Sequence, residues 1–169
     1  MSLPANQPSL GADVLGAPLP EQFETFVDEH RDRLGAVLDG LTEEEARASI
    51  VPSRTTLLGL VKHATSVERI WFDGAVTGRT RGELGIGATV DDTFVLEPED
   101  TVGSVLAEYR AACEASRRVT SAMDLDTVLP HHRFGPMPLR WVYLHLLREH
   151  AQHLGHADIL REQLLARRS

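Results

Sequence analysis

The chain has 169 residues, 42% of them hydrophobic and 25% charged, and a formal net charge of −8. That length suits one domain with a proper core, and the acidic balance argues against nucleic acid or an anionic membrane surface as the main partner. No apolar run approaches the roughly 18–20 residues of a membrane helix, and the single cysteine, Cys113, excludes both an intrachain disulfide and a Cys-rich zinc site.

Any metal chemistry must therefore use histidine and carboxylate. Lys62 is the only lysine among 17 basic residues, a bias towards arginine codons that points to a high-GC source.

Residues 1–18, with Pro4, Pro8 and Pro18, read as a loose arm ahead of a single domain over 19–169. The first twenty residues hold no basic residue and no sustained apolar core. They do not read as a secretory signal, and a cytoplasmic location is the default expectation. A first helix is predicted over 19–41, with Phe23, Phe26, Val27, Leu34, Val37, Leu38 and Leu41 near helical spacing and Gly40 near its end. Thr42, followed by three glutamates, suits the N-cap of a short helical turn.

A second long helix is predicted from near Ser53, ending at Gly74 or Gly78. Residues 77–99 are rich in Gly, Thr and Asp and read as a long loop, with one β-prone patch at "TFVLE". Loops of this length in compact domains are often functional. The third helix is expected to begin near Asp100, with acidic residues in its first turn. The fourth runs from about Pro138 to about Ala166. Four long helices without convincing strands indicate an all-α four-helix bundle.

In the fourth helix, alternating steps of four and three pick out Val142, Leu146, Glu149, His153, His156, Leu160 and Gln163. This is the spacing of a seam that faces other helices, and its middle is Glu, His, His. The matching stripe on the second helix is Thr56, Leu60, His63, Val67 and Ile70, apolar except for a central histidine. A buried carboxylate needs compensation, which a divalent cation between the two helices would supply.

Four residues of helix rise about 6 Å and turn about 400°, so Glu149 and His153 stack and can grip one ion. His63, Glu149 and His153 are thus the expected metal ligands. Two histidines with one glutamate form a catalytic zinc set that leaves a position open for water or substrate; nickel, manganese or iron would also accept these donors. His156, about 10 Å along the axis from Glu149, and His145, one turn away, are expected to line the pocket and to orient substrate or move a proton. His150 points about 100° from Glu149 and is expected on another face.

Each piece also has a plainer explanation. His63 alone suits a hydrogen-bonded core histidine, and Glu149 with His153 an ordinary i,i+4 pair. Cys113 reads as core packing, and Trp71 and Trp141 as core or dimer surface. His131 and His132 could reach a substrate at one end of the bundle but read first as solvated loop residues, and Glu68 as one half of a surface or interhelix ion pair.

The blocks "TLLGLVKHATSVERIWF" (56–72) and "PLRWVYLHLLREHAQHLGHADILREQL" (138–164) resemble the second and fourth helices of the DinB/YfiT-like superfamily, in its actinobacterial mini-circle-protein branch. Many members bind a divalent metal through one histidine of the second helix and an H-x-x-x-H pair in the fourth; here Glu149 stands in the first position of that pair. The His, Glu, His set is the one used by mycothiol-dependent maleylpyruvate isomerase, and the resemblance implies His63, Glu149 and His153 again. It also implies a metal-dependent S-transferase or isomerase acting on a small-molecule thiol, such as mycothiol, and an electrophilic partner, in a family type where homodimers are common. The rivals are a non-catalytic metal-binding stress or accessory protein and a bundle that only mediates assembly.

Overall fold

A computed structural model describes residues 11–168. Its main elements are α1 (Leu19–Ala36), the short α2 (Glu43–Arg47), α3 (Leu57–Glu68), α4 (Ala75–Thr77), α5 (Val102–Thr120) and α6 (Leu139–Ala166). A π-helical stretch, Arg69–Gly74, joins α3 to α4, so that α3 through α4 form one continuous rod. The predicted all-α bundle is what forms. α1 packs along α6 and α3 along α5, while α3 also meets α6 and α1 meets α5, closing the ring. No helix among the described residues is long and apolar enough to cross a membrane.

Capping side chains set the helix boundaries. Thr42 and Glu45 form a reciprocal capping box on α2. α3 starts at Leu57 because Thr56 Oγ1 accepts the N–H of Gly59, later than the expected start near Ser53. Thr56 therefore caps the helix instead of lying on its inner stripe. α5 is capped by Thr101 with Ser104 and has no acidic residue in its first turn. Asp100, expected there, instead accepts from Lys62 Nζ at 2.7 Å and from the N–H of Glu97.

Two local details differ from the sequence reading. The β-prone patch after residue 92 forms no strand: Asp91–Phe94 is a 3₁₀ turn laid across α3. And the connection before α6 does contain a strand pair, Val128–Leu129 (β1) against Met137–Pro138 (β2), too short to show any alternation in sequence.

The loose arm predicted over 1–18 lies partly outside the described residues. Over 11–18 it is docked: the Gly11 N–H donates to Glu29 Oε1 at 2.7 Å, and Val14 is buried against the bundle.

The core divides into two apolar clusters. One gathers Leu34, Leu38, Leu57, Leu60, Val61, Tyr109 and Leu154; the other gathers Val27, Phe72, Leu129, Leu139, Val142, Tyr143 and Leu146. Where the two meet lies a polar layer: Arg31 on α1, Glu68 on α3 and His150 on α6, each 4% exposed or less. Arg31 grips Glu68 with two bonds, Nε to Oε1 at 2.9 Å and Nη2 to Oε2 at 2.7 Å, and His150 Nε2 lies 3.2 Å from Glu68 Oε1. Burial opposes the charge on Glu68, yet Arg31 and His150 hold its carboxyl down at about 2.

Candidate metal centre

His63 sits at the centre of the apolar face of α3 and is 6% exposed. Its orientation comes from the loop opposite. Gly59, one turn earlier, lets the 3₁₀ turn press against the helix; a Cβ there would stand 2.9 Å from the carbonyl oxygen of Phe94. That approach delivers two residues to the imidazole. Phe94 stacks on it, with centroids 4.1 Å apart and planes 9° from parallel, and Thr93 Oγ1 lies 2.7 Å from Nδ1.

The tautomer follows. Thr93 donates its hydroxyl to the Val90 carbonyl, so its oxygen accepts the Nδ1–H of His63. Nε2 is left as a bare lone pair. Burial first, and then His153, lower the pKa of His63 to about 4, so the ring is neutral at physiological pH.

α6 supplies the other two groups. Glu149 and His153 stand one helical turn apart, with Oε2 and Nε2 separated by 3.5 Å. Each of His63, Glu149 and His153 offers a donor atom within 4.8 Å of the other two. The cluster is under-bonded as it stands. Contacts of 3.5 Å to His153 and 3.9 Å to His145 are too long to satisfy a carboxylate, and His153 Nδ1 is buried with no hydrogen-bond partner. The nearby His153 ring, ahead of the burial that opposes it, keeps the Glu149 carboxyl below its usual range. Two nitrogens, one anionic oxygen, a neutral ring and an unsatisfied buried nitrogen together fit a divalent cation of borderline softness.

A cavity of about 500 Å³ opens beside these residues. His63, Thr93 and Glu149 form one wall, and Val67, Ile70, Trp71, Leu84 and Val90 an apolar one. The π-helical stretch turns Trp71 into this cavity while Glu68, three residues earlier, points into the core. Such bulges recur at functional sites. His145 also lines the cavity, with its ring against Trp71. Arg148 donates to its Nδ1 at 2.7 Å, which leaves the proton of the neutral ring on Nε2, facing Glu149. Burial lowers the pKa of His145 and favours that neutral form.

Two expectations need correction. His156 is exposed and not among the cavity-lining residues; it touches the cluster only through His153, at 6.0 Å between ring centroids. His150 does lie on another face from Glu149, as the spacing predicts: it is the buried member of the Arg31–Glu68 layer, and that ion pair is the interhelix one. His132 is not a solvated loop residue: the strand pair folds it onto Trp71, 4.1 Å between centroids and 18° from parallel, where it lines the cavity. Thr93 and Phe94 were not singled out at all. A threonine and a phenylalanine in a loop carry no local mark; only the fold brings them to His63. Cys113 is buried in the core, and burial pushes its thiol up to about 12, which makes it inert.

Residues 22–166 match the sequence profile of a family described as Mycothiol-S-transferase. No curated protein matches the chain.

Proposed function

The chain belongs to the mycothiol-S-transferase family, a DinB/YfiT-like family, and from that premise we propose that it joins the thiol of mycothiol to an electrophilic small molecule at a divalent-metal centre held by His63, Glu149 and His153. The observation that carries this reading is the under-bonded cluster beside an open cavity: a carboxylate with only long contacts, a free His63 Nε2 and an orphaned His153 Nδ1. A polar layer that served packing alone would be closed by hydrogen bonds, as the Arg31–Glu68–His150 layer is.

Bound there, a divalent cation supplies acidity, lowering the pKa of a thiol so that thiolate exists at neutral pH. The chain's own groups do the rest. Thr93 fixes the His63 tautomer and ring plane, the kind of outer support on which metal sites depend. Trp71, Ile70 and Leu84 keep water from the reacting sulfur and strengthen every charge in the site. His145 holds a proton on Nε2 with its Nδ1 tied to Arg148, and serves to orient the thiol or to pass that proton. Zinc is the expected metal for this ligand set.

Metal content and turnover separate the alternatives. Purified protein should carry close to one equivalent of divalent metal by mass spectrometry and consume mycothiol in the presence of an electrophile. In His153→Ala both should fall at least tenfold. Metal without turnover across a broad panel of acceptors would make the protein a binding or accessory protein; no metal at all would leave the polar seam a structural feature.

A further inference from the structure

Four arginines face the cavity of a chain whose net charge is −8. Arg79 and Arg81 come from the loop after α4, Arg133 from the segment between β1 and β2, and Arg148 from α6. Glu149 is the only carboxylate among the lining residues, and a bound cation would take up its charge.

Arg79 is neutralised by Asp73. The other three pair with no carboxylate among the described residues. Arg81 donates Nε to the Gly87 carbonyl at 2.6 Å and Nη2 to the Thr89 carbonyl at 2.8 Å. Two backbone bonds thus fix it in place while its full charge remains. Arg148 donates to a neutral imidazole, and the Arg133 guanidinium lies 4.7 Å over the Phe134 ring. Three cations without a carboxylate partner around a partly apolar cavity focus a positive potential in an otherwise acidic molecule. Guanidinium groups match carboxylate and related oxyanions as two-pronged donors.

Mycothiol bears no carboxylate or phosphate, so this charge is not answered by the thiol. Resting on the transferase reading above, we propose that the acceptor is an anionic electrophile: an apolar body against Ile70, Trp71 and Leu84, with an acidic group held by Arg133 and Arg148 in the field of Arg81. With an activated alkene as acceptor the step balances without a redox partner. The thiol sulfur bonds to one alkene carbon, the C=C π pair moves to the neighbouring carbon, and the thiol proton ends there; nothing leaves.

Matched probes test this. N-(2-carboxyethyl)maleimide and N-ethylmaleimide differ by one carboxylate, and the corresponding succinimides are unreactive and report binding alone. On zinc-loaded full-length protein, calorimetry should find the carboxylated succinimide bound about tenfold more tightly than the neutral one, with the ratio falling as salt rises. In the double variant Arg133→Gln, Arg148→Gln the ratio should approach one, at an unchanged melting temperature because both side chains are exposed. A wild-type ratio near one, a ratio that survives the double substitution, or no binding of either succinimide would overturn the proposal. Turnover of both maleimides by mycothiol without charge preference would sink the anion site and leave the transferase reading standing. A binding preference for the carboxylate with no turnover of either maleimide would do the reverse.

Discussion

α3 and α6 carry two polar clusters in one bundle, and the two are built in opposite ways. In the layer of Glu68 and His150 every strong group is answered: Arg31 makes two bonds of 2.7 and 2.9 Å to the carboxylate, and His150 adds a third. In the cluster of His63, Glu149 and His153, the carboxylate has only long contacts and one buried nitrogen has none. Burial sharpens the contrast, for Glu68 is fully enclosed while the Glu149 side chain is 27% exposed beside a cavity. A polar cluster closed on itself serves the fold; one left open beside a cavity has room for something that arrives later.

The largest effect should come from breaking the closed cluster. Glu68→Ala strands the Arg31 guanidinium between two apolar cores with Asp28 as its remaining acid partner. The expected loss is about 3–5 kcal/mol in chemical unfolding. His153→Ala in metal-free protein should cost far less, since its Nδ1 makes no bond to lose. Equal losses would erase the distinction between the two clusters.

Acid should find the closed cluster next. The folded pKa of Glu68, about 2, lies below the ordinary 4.5. Between those values the unfolded chain takes up a proton that the folded chain refuses. The stabilisation is therefore complete above pH 4.5 and is lost as pH falls towards 2, by ~3 kcal/mol on the linkage relation. Unfolding measured from pH 6 to 2 should show this slope, and Glu68→Gln should flatten it.

Sequence spacing made the open cluster legible and the closed one nearly invisible. His63, Glu149 and His153 fall on seam positions of two amphipathic helices, and periodicity alone brings them together. The same periodicity could not decide which edge of the α6 stripe lies deepest. Glu149 and His150 are about 100° apart, and it is His150, with Leu146 and Leu154, that faces the core. Only packing against α1 settles this, through Arg31, 37 residues from Glu68 in the chain. His132 was misplaced for a similar reason: a strand pair of two residues a side leaves no pattern to read, yet it folds the ring onto Trp71. The turn at Asp91–Phe94 shows tertiary context overriding propensity, because Gly59 lets β-prone residues dock against α3 in a helical turn.

That docking gives the third test. Thr93→Val removes the acceptor for His63 Nδ1–H while keeping the shape. Metal affinity should fall about 10–100-fold, measured by competition with a chromogenic chelator, and Thr93→Ser should restore most of it. If Thr93 only packed the loop, Val would bind metal as well as the native protein does, and Ser would give no rescue to observe.

The smallest expected effect is the most discriminating. Glu149→Gln in metal-free protein should change stability by less than about 1 kcal/mol, or roughly 2–4 °C in melting temperature for a chain of this size. The sign should be slightly destabilising, because the ionised carboxylate gains a little from His153 in the folded state. Metal should then part the two proteins. At a hundredfold excess over its Kd, a cation that binds only the folded chain stabilises it by about 2.7 kcal/mol, and native protein should show that rise while Glu149→Gln does not at the same concentration. A carboxylate whose loss hardly touches the empty fold but abolishes the response to metal is held in place for the metal. If the empty Glu149→Gln protein instead melts as early as Glu68→Ala, Glu149 belongs to the scaffold, and the two clusters differ only in how much water reaches them.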